Sequence, residues 1–166
     1  DIGLNTLHNM VLPPFKAAKE AGIKTFMNSF NDLNGIPATA DAYLQRDILK
    51  REWDFDGFIV SDWGSIREMR DHGYAKDNKH AGELAILGGS DMDMESSIYI
   101  NHLEALLEEG KVSIDHINDA VSRILKVKFE LGLFDDPYRY SNEKLEAQIT
   151  GSKEIVEATL EVAKKS

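Results

Sequence analysis

Asp62 stands at the end of the short apolar run Phe58-Ile59-Val60 and is followed directly by Trp63. β-Branched and aromatic residues between Gly57 and Ser61 read as a strand buried on both faces. An acid where such a strand opens into a loop is where barrel and doubly wound enzymes carry reactive groups. The indole beside it offers a flat apolar surface and one N–H donor, suited to stacking on a ring with polar edges. Loop aspartates also cap helices and form turns, and the run alone does not separate these uses.

Asp91, Asp93 and Glu95 alternate as acids on one face of a strand would. Such a pattern suits a hard cation with oxygen ligands, but unsupported carboxylates more often cap the next helix or form ion pairs. We read them in that second way, with no metal and no cofactor. The five histidines, His8, His72, His80, His102 and His116, show no H-E-x-x-H or other ligand spacing. His102 and His116 fall on helix surfaces, and His72 in a solvated loop after the Asp62 strand. Asn31 and Asn34 could donate to a substrate, though loop asparagines more often serve turns. The absence of cysteine removes disulfides, thiolate metal sites and thiol nucleophiles together.

A length of 166 residues is about one domain, and 42% hydrophobic with 29% charged residues is ordinary for a globular protein. A formal charge of −10 argues against a nucleic-acid partner, since no basic stripe could neutralise phosphates. No apolar run reaches the roughly 18 residues of a membrane span, so no membrane is expected. The chain opens on Asp1-Ile2-Gly3 without Met or a signal-peptide pattern, as though cut from something longer.

The elements that must position Asp62 alternate between strand and helix. Pro13 to Gly22 has prolines in a first turn, helix formers next and glycine as the stop. Residues 24–30 read as a strand that runs into the polar loop Asn31–Gly35. Asp41 caps a helix through Trp53, with Leu44, Ile48 and Leu49 on one face. After Asp62 come a polar loop, a helix around His80–Leu87 stopped by Gly88-Gly89, and a shorter strand at Ser90–Met94. A helix from Asn101 to Glu109 follows. Ser113 caps the next one, with Ile114, Ile117, Val121, Ile124, Leu125 and Phe129 at helical spacing. Phe134–Tyr140 is turn-rich, and Glu154–Lys165 resumes helical spacing. This order predicts a parallel α/β fold with strands near 25–30, 57–62 and 90–94 side by side.

The run Gly57–Trp63, preceded by Lys50-Arg51-Glu52-Trp53-Asp54-Phe55-Asp56, closely resembles the nucleophile segment of glycoside hydrolase family 3, the β-glucosidase and β-xylosidase family. Other segments agree in order and spacing: Leu12–Ala17, Phe26–Asn31 with Asn34–Thr39, Gly89–Glu95, and Gly132–Tyr138. The resemblance implies the C-terminal part of the family's catalytic barrel domain. The fold would be a partial (β/α)8 TIM-type barrel, roughly its last three strand-helix units. Residues 1–133 would form that part, and 134–166 a connector and the start of a linker to an absent second domain.

The implied chemistry is hydrolysis of terminal β-D-glucosyl or xylosyl residues through a covalent glycosyl-enzyme on Asp62. Retention needs two carboxyl groups roughly 5–5.5 Å apart, one attacking the anomeric carbon and one protonating the departing oxygen. The resemblance puts Trp63 at a tryptophan that lines the sugar site. Met27 and Phe30 fall where relatives carry a methionine and commonly a tyrosine near the nucleophile; barrel core is the alternative use for both. Phe30 lacks the hydroxyl that such a tyrosine offers the nucleophile. The family's acid/base and further sugar contacts come from regions outside this chain. The implied partners are therefore a β-glucoside or oligosaccharide, the missing barrel half and the second domain, and the isolated chain is expected to be inactive. The alternative is a non-catalytic half-barrel module that self-associates or complements another fragment. The compartment is open, with a secreted or periplasmic parent following from the family alone.

Overall fold

A computed structural model describes residues 1–165; residue 166, the last of the expected linker, lies outside the described residues. Strands β1 (Thr25–Met27), β2 (Asp32–Leu33), β3 (Ile36–Pro37) and β4 (Phe58–Val60) are short. The helices are α1 (Leu12–Glu20), preceded by helical turns at Leu4–Thr6 and Leu7–Val11, and α2 (Tyr43–Glu52), wound as a π-helix. They continue as α3 (Ser65–Asp71), α4 (Asn78–Gly88), α5 (Ile98–Glu108), α6 (Ile114–Glu130), α7 (Glu143–Ile149) and α8 (Lys153–Lys165). The chain divides into two compact units, Asp1–Val127 and Lys128–Ser166.

In the first unit β1 and β4 pair in parallel, with Thr25 opposite Phe58, Phe26 opposite Ile59 and Met27 opposite Val60. A single parallel bridge then joins Val60 to Met92. The three segments expected to run parallel do so, but each is shorter than predicted, and 90–94 is not a full strand. The reason is local. In a parallel ladder of this register the Ile59 N–H would donate to the carbonyl of Ser90. It donates instead to Asp91 Oδ2 at 2.9 Å, while the Ser90 carbonyl accepts from the Tyr99 hydroxyl at 2.7 Å.

Alternation along the strands sends Phe26 and Ile59 to one face and Met27 and Val60 to the other. The first face packs on helices: Ile48, Leu49, Trp53, Phe55 and Ile59 form a buried cluster joined by Leu12, Phe26 and Leu44. Asp41 caps α2 as expected, its Oδ1 accepting from Leu44 N at 3.1 Å. A second cluster, Ile66, Met69, Ala81, Ala85 and Ile98, locks α3, α4 and α5 together. A third, Ile86, Leu106, Val112 and Ala120, carries α6. Arg46 reaches from α2 to donate to Ile86 O at 2.6 Å and Leu87 O at 2.5 Å, closing the C-terminal carbonyls of α4.

Three departures from the predicted elements have physical causes. The loop Asn31–Gly35 is a β2–β3 hairpin whose central residues Asn34 (φ 53°) and Gly35 (φ 84°) both have positive φ, the hairpin use of Asn-Gly. The polar stretch after Asp62 holds α3, because Ile66 and Met69, three apart, bury one side of a segment that is otherwise charged. Helix α5 starts at Ile98 rather than Asn101, since Asp93 Oδ2 accepts from Ile98 N and Tyr99 N at 2.7 and 3.1 Å.

The second unit contains the last residues of α6, a run of turns, α7 and α8. Phe129 and Phe134 stack at 4.3 Å between ring centroids, and Tyr140 Oη donates to Leu131 O at 3.1 Å. Helix α8 matches its predicted spacing, and α7 is an addition, capped by Asn142, whose Oδ1 accepts from Leu145 N at 3.0 Å. No helix among the described residues is long and apolar enough to cross a membrane.

Candidate active site

Asp62 lies two residues beyond β4, at the C-terminal end of the parallel pair. Its main-chain carbonyl accepts from Ser61 Oγ at 2.9 Å and from Ser65 N at 3.1 Å. The second bond closes a tight turn in which Gly64 takes φ 69°, a conformation that disfavours a side chain. Trp63 N donates to Asp62 Oδ1 at 2.7 Å, fixing the carboxylate's rotamer. Asp62 Oδ2 has no hydrogen-bond partner among the described residues. Trp63, at the tip of the turn, is 67% exposed.

The register places Met27 beside Val60, and residues two apart on a strand share a face. Met27 and Asp62 therefore stand on the same, uncovered face, with Met27 57% exposed. Phe30 is in the loop between β1 and β2 and is 55% exposed. The structure thus gathers Asp62, Trp63 and Met27 at one end of the sheet and leaves Phe30 on the neighbouring loop. An apolar cleft of about 320 Å³ between α1 and the helix-covered side of β1 includes Met27 in its lining but no carboxylate.

The three alternating acids have the cap and ion-pair roles read from sequence. Asp91 pairs with Lys50, and burial pushes the Asp91 carboxyl up and the Lys50 ammonium down against the attraction between them. Asp93 caps α5 and also accepts from Ser96 Oγ at 2.5 Å. Glu95, with φ 73°, meets Arg67 at 3.1 Å beside Gly64. His72 lies in the exposed turn that follows α3, as its C-cap. His116 Nδ1 lies 2.8 Å from Ser113 Oγ. Asn34 faces the N-terminal segment: its Oδ1 accepts from Ile2 N at 2.8 Å and its Nδ2 donates to Ile2 O at 2.9 Å. Among the described residues no group of three or more His, Asp or Glu converges as a metal site.

Sequence reasoning missed the polar layer beneath the site. Asn28, Thr39, Gln45, Ser65 and Ser90 are buried and mutually bonded, with Asn28 Nδ2 donating to Ser90 Oγ at 2.6 Å and Gln45 Oε1 at 3.2 Å. Thr39 Oγ1 lies 3.1 Å from Ser65 Oγ, which connects this layer to the turn that carries Asp62. Small hydroxyl residues directly after an apolar strand run, as at Ser61, were the available signal.

A carboxylate at the C-terminal end of parallel strands, with an exposed indole beside it, stands where α/β enzymes carry their reactive groups. Residues 1–127 match the glycosyl hydrolase family 3 N terminal domain. The chain is 41% identical over 144 residues to the periplasmic beta-glucosidase of Salmonella typhimurium, covering 87% of this chain and 19% of that protein. It is 36% identical to a beta-xylosidase of Formosa agariphila, covering 100% of this chain and 24% of that one. Among solved structures, a beta-glucosidase from Listeria innocua in complex with glucose superposes with a TM-score of 0.81 at 43% identity, over 83% of this chain and 19% of that one.

The chain belongs to glycosyl hydrolase family 3. The domain that matches is the family's N-terminal one; the expected C-terminal part of a barrel domain is not carried by that match. The chain spans between 19% and 24% of the length of these curated relatives.

Proposed function

We propose that this chain supplies the nucleophile of a retaining β-glycosidase that removes terminal β-D-glucosyl or xylosyl residues. The observation that carries the reading is Asp62 itself: a carboxylate held by its own turn, one oxygen free, at the C-terminal end of parallel strands beside an exposed tryptophan. Asp62 attacks the anomeric carbon, Trp63 stacks on the sugar, and Met27 and Phe30 border the subsite. Asp91 and Asp93 are committed to internal bonds and Glu95 to Arg67, and the family resemblance implies that the acid/base is carried by another part of the parent protein.

In this reading residues 1–133 form roughly three strand-helix units of a (β/α)8 barrel, and 134–166 form the connector to a second domain. The uncovered face bearing Met27 and Met92, 57% and 42% exposed, supports a barrel interior completed by further strands. The isolated chain is inactive because proximity and acid catalysis need groups carried elsewhere. The name of the Salmonella relative supports a periplasmic parent.

The test is mechanism-based labelling of the complete parent enzyme with a fluorinated aryl β-glycoside, followed by peptide mapping. The label is expected on Asp62. Asp62→Gly should abolish turnover and regain part of it with azide or formate. A label on another carboxylate removes Asp62 from the role, and robust turnover by the 166-residue chain alone overturns the fragment reading.

A further inference from the structure

We infer that Ser61 is a positioning residue for Asp62, its buried hydroxyl setting the main chain from which the carboxylate projects. The inference rests on the reading of Asp62 as nucleophile. Ser61 is completely buried, and its main-chain N–H donates to Met92 O at 2.9 Å, as the parallel ladder requires. One step further, that ladder would have Met94 N–H donate to the Ser61 carbonyl. It donates instead to Ser61 Oγ at 2.8 Å.

The hydroxyl's own hydrogen then goes to the Asp62 carbonyl at 2.9 Å. Gly64 N, in the same turn, donates to Met94 O at 2.9 Å. Ser61, Asp62, Gly64 and Met94 thereby form one closed set of bonds across the site.

Satisfying the Met94 N–H requires only an acceptor. The donor half of the Ser61 hydroxyl does something more: it pins the peptide carbonyl of Asp62 from one side while Ser65 N pins it from the other, at 3.1 Å. Ser65 is in turn held through Thr39. An alanine at 61 would leave the Asp62 carbonyl held by Ser65 N alone, and its peptide plane would shift about the remaining Trp63 N–H bond to Asp62 Oδ1. Nucleophilic attack is sensitive to displacements of that size, a misplacement of about 1 Å costing on the order of a hundredfold in rate.

Ser90 is the natural comparison, because its hydroxyl is equally buried and bonded within the polar layer but makes no bond to the turn carrying Asp62. In the complete parent enzyme, Ser61→Ala, Ser61→Cys and Ser90→Ala are compared by kcat, KM, melting temperature and the rate of trapping by a fluorinated glycoside. Ser61→Ala should lower kcat and the trapping rate by about 10- to 100-fold with KM within about threefold. Ser61→Cys, a weaker donor and acceptor, should fall between it and the parent. Ser90→Ala should lower the melting temperature comparably but keep kcat within about twofold, since its hydroxyl bonds only inside the polar layer.

Equal losses of kcat in Ser61→Ala and Ser90→Ala, or none in either, overturn the inference. If Ser61→Ala does not fold, the same comparison is made with Ser61→Cys. A trapped label away from Asp62 in the parent defeats the nucleophile assignment. A label on Asp62 with an unchanged trapping rate in the Ser61 variants defeats the positioning role alone.

Discussion

Lys50 Nζ and Asp91 Oδ1 meet at 2.6 Å with 7% and 2% of their side chains exposed. They join α2 to the segment that runs beside β4, and Asp91 Oδ2 simultaneously takes the Ile59 N–H. Asp119 lies 3.6 Å from the same ammonium and is itself bound by Arg123 at 2.8 Å. Arg123 also donates to Phe55 O at 2.7 Å and Gly57 O at 3.0 Å, so this charge network ties α2, α6 and the entry to β4 together.

Removing only the lysine leaves a buried carboxylate without its hydrogen-bonded partner, with only the more distant Arg123 to offset its charge, a loss of up to about 3–5 kcal/mol. Lys50→Met should therefore destabilise strongly. Adding Asp91→Asn should recover most of the loss, since an amide oxygen still accepts from Ile59 N. Chemical denaturation of the parent and both variants measures the difference.

The pH dependence of Lys50→Met should run opposite to ordinary acid unfolding. Burial already raises the Asp91 pKa above its usual 3.8, and the lysine works against that rise. Without the lysine, the folded-state pKa climbs further while the unfolded value stays. Above the unfolded pKa the folded protein then binds more protons, so its stability falls as pH increases through that window. Denaturation midpoints between about pH 4 and pH 7 test the sign, and a midpoint that rises across this range in the variant defeats the argument.

Gly57 has no room for a side chain. A Cβ there would meet Lys24 O at 2.1 Å and the Phe55 ring at 2.6 Å. Gly57→Ala should push β4 away from β1 and break the bond from Phe58 N to Lys24 O, now 3.2 Å. Overpacking of this kind costs about 1–3 kcal/mol, and with backbone as the obstacle the upper end is expected. Thermal denaturation reads it.

Asn34 combines a positive φ with two bonds to Ile2. Asn34→Ala should lose both bonds and strain the turn by about 1–2 kcal/mol, whereas Asn34→Gly should lose the bonds alone and be milder. Hydrogen exchange at the Ile2 amide should quicken in both variants. An unchanged rate would show that the bracket contributes nothing to protection.

The 166-residue chain on its own should associate in solution. Met27 and Met92 leave one sheet face open, and among the described residues β1 and the Met92 segment pair on one side only, as sheet edges. Sedimentation across a concentration series should show mass rising with concentration. A sharply melting monomer would contradict this.

Local chemistry was enough to read much of the framework. Pro13 and Pro14 at the start of α1, Asp41 before α2 and Gly89 after α4 act through neighbours a few residues away, so their effects can be read in order along the chain. The Asn34-Gly35 turn was equally legible and was read as loop, because the flanking strands, Asp32–Leu33 and Ile36–Pro37, are too short to show a period. Asp62 and Trp63 could be singled out because a strand run that ends in an acid is itself a local pattern.

What lies beneath that acid was decided in three dimensions. Asp91 belongs with Lys50, 41 positions earlier, and Thr39 with Ser65, 26 positions later. The identity of those residues does not name a partner, since a serine or an aspartate bonds whatever the folded chain brings within reach. The same holds for the length of the third parallel segment. Ser90–Met94 has the composition of a strand, yet the Asp91 carboxylate and the Ser61 hydroxyl occupy the ladder positions on either side of Met92 and leave one bridge. The chain by itself determined where α1 and α2 begin and which acid stands at a strand's end. Which hydroxyls and charges hold that acid depended on packing, because hydrogen bonds between distant residues exist only after the core has brought them together.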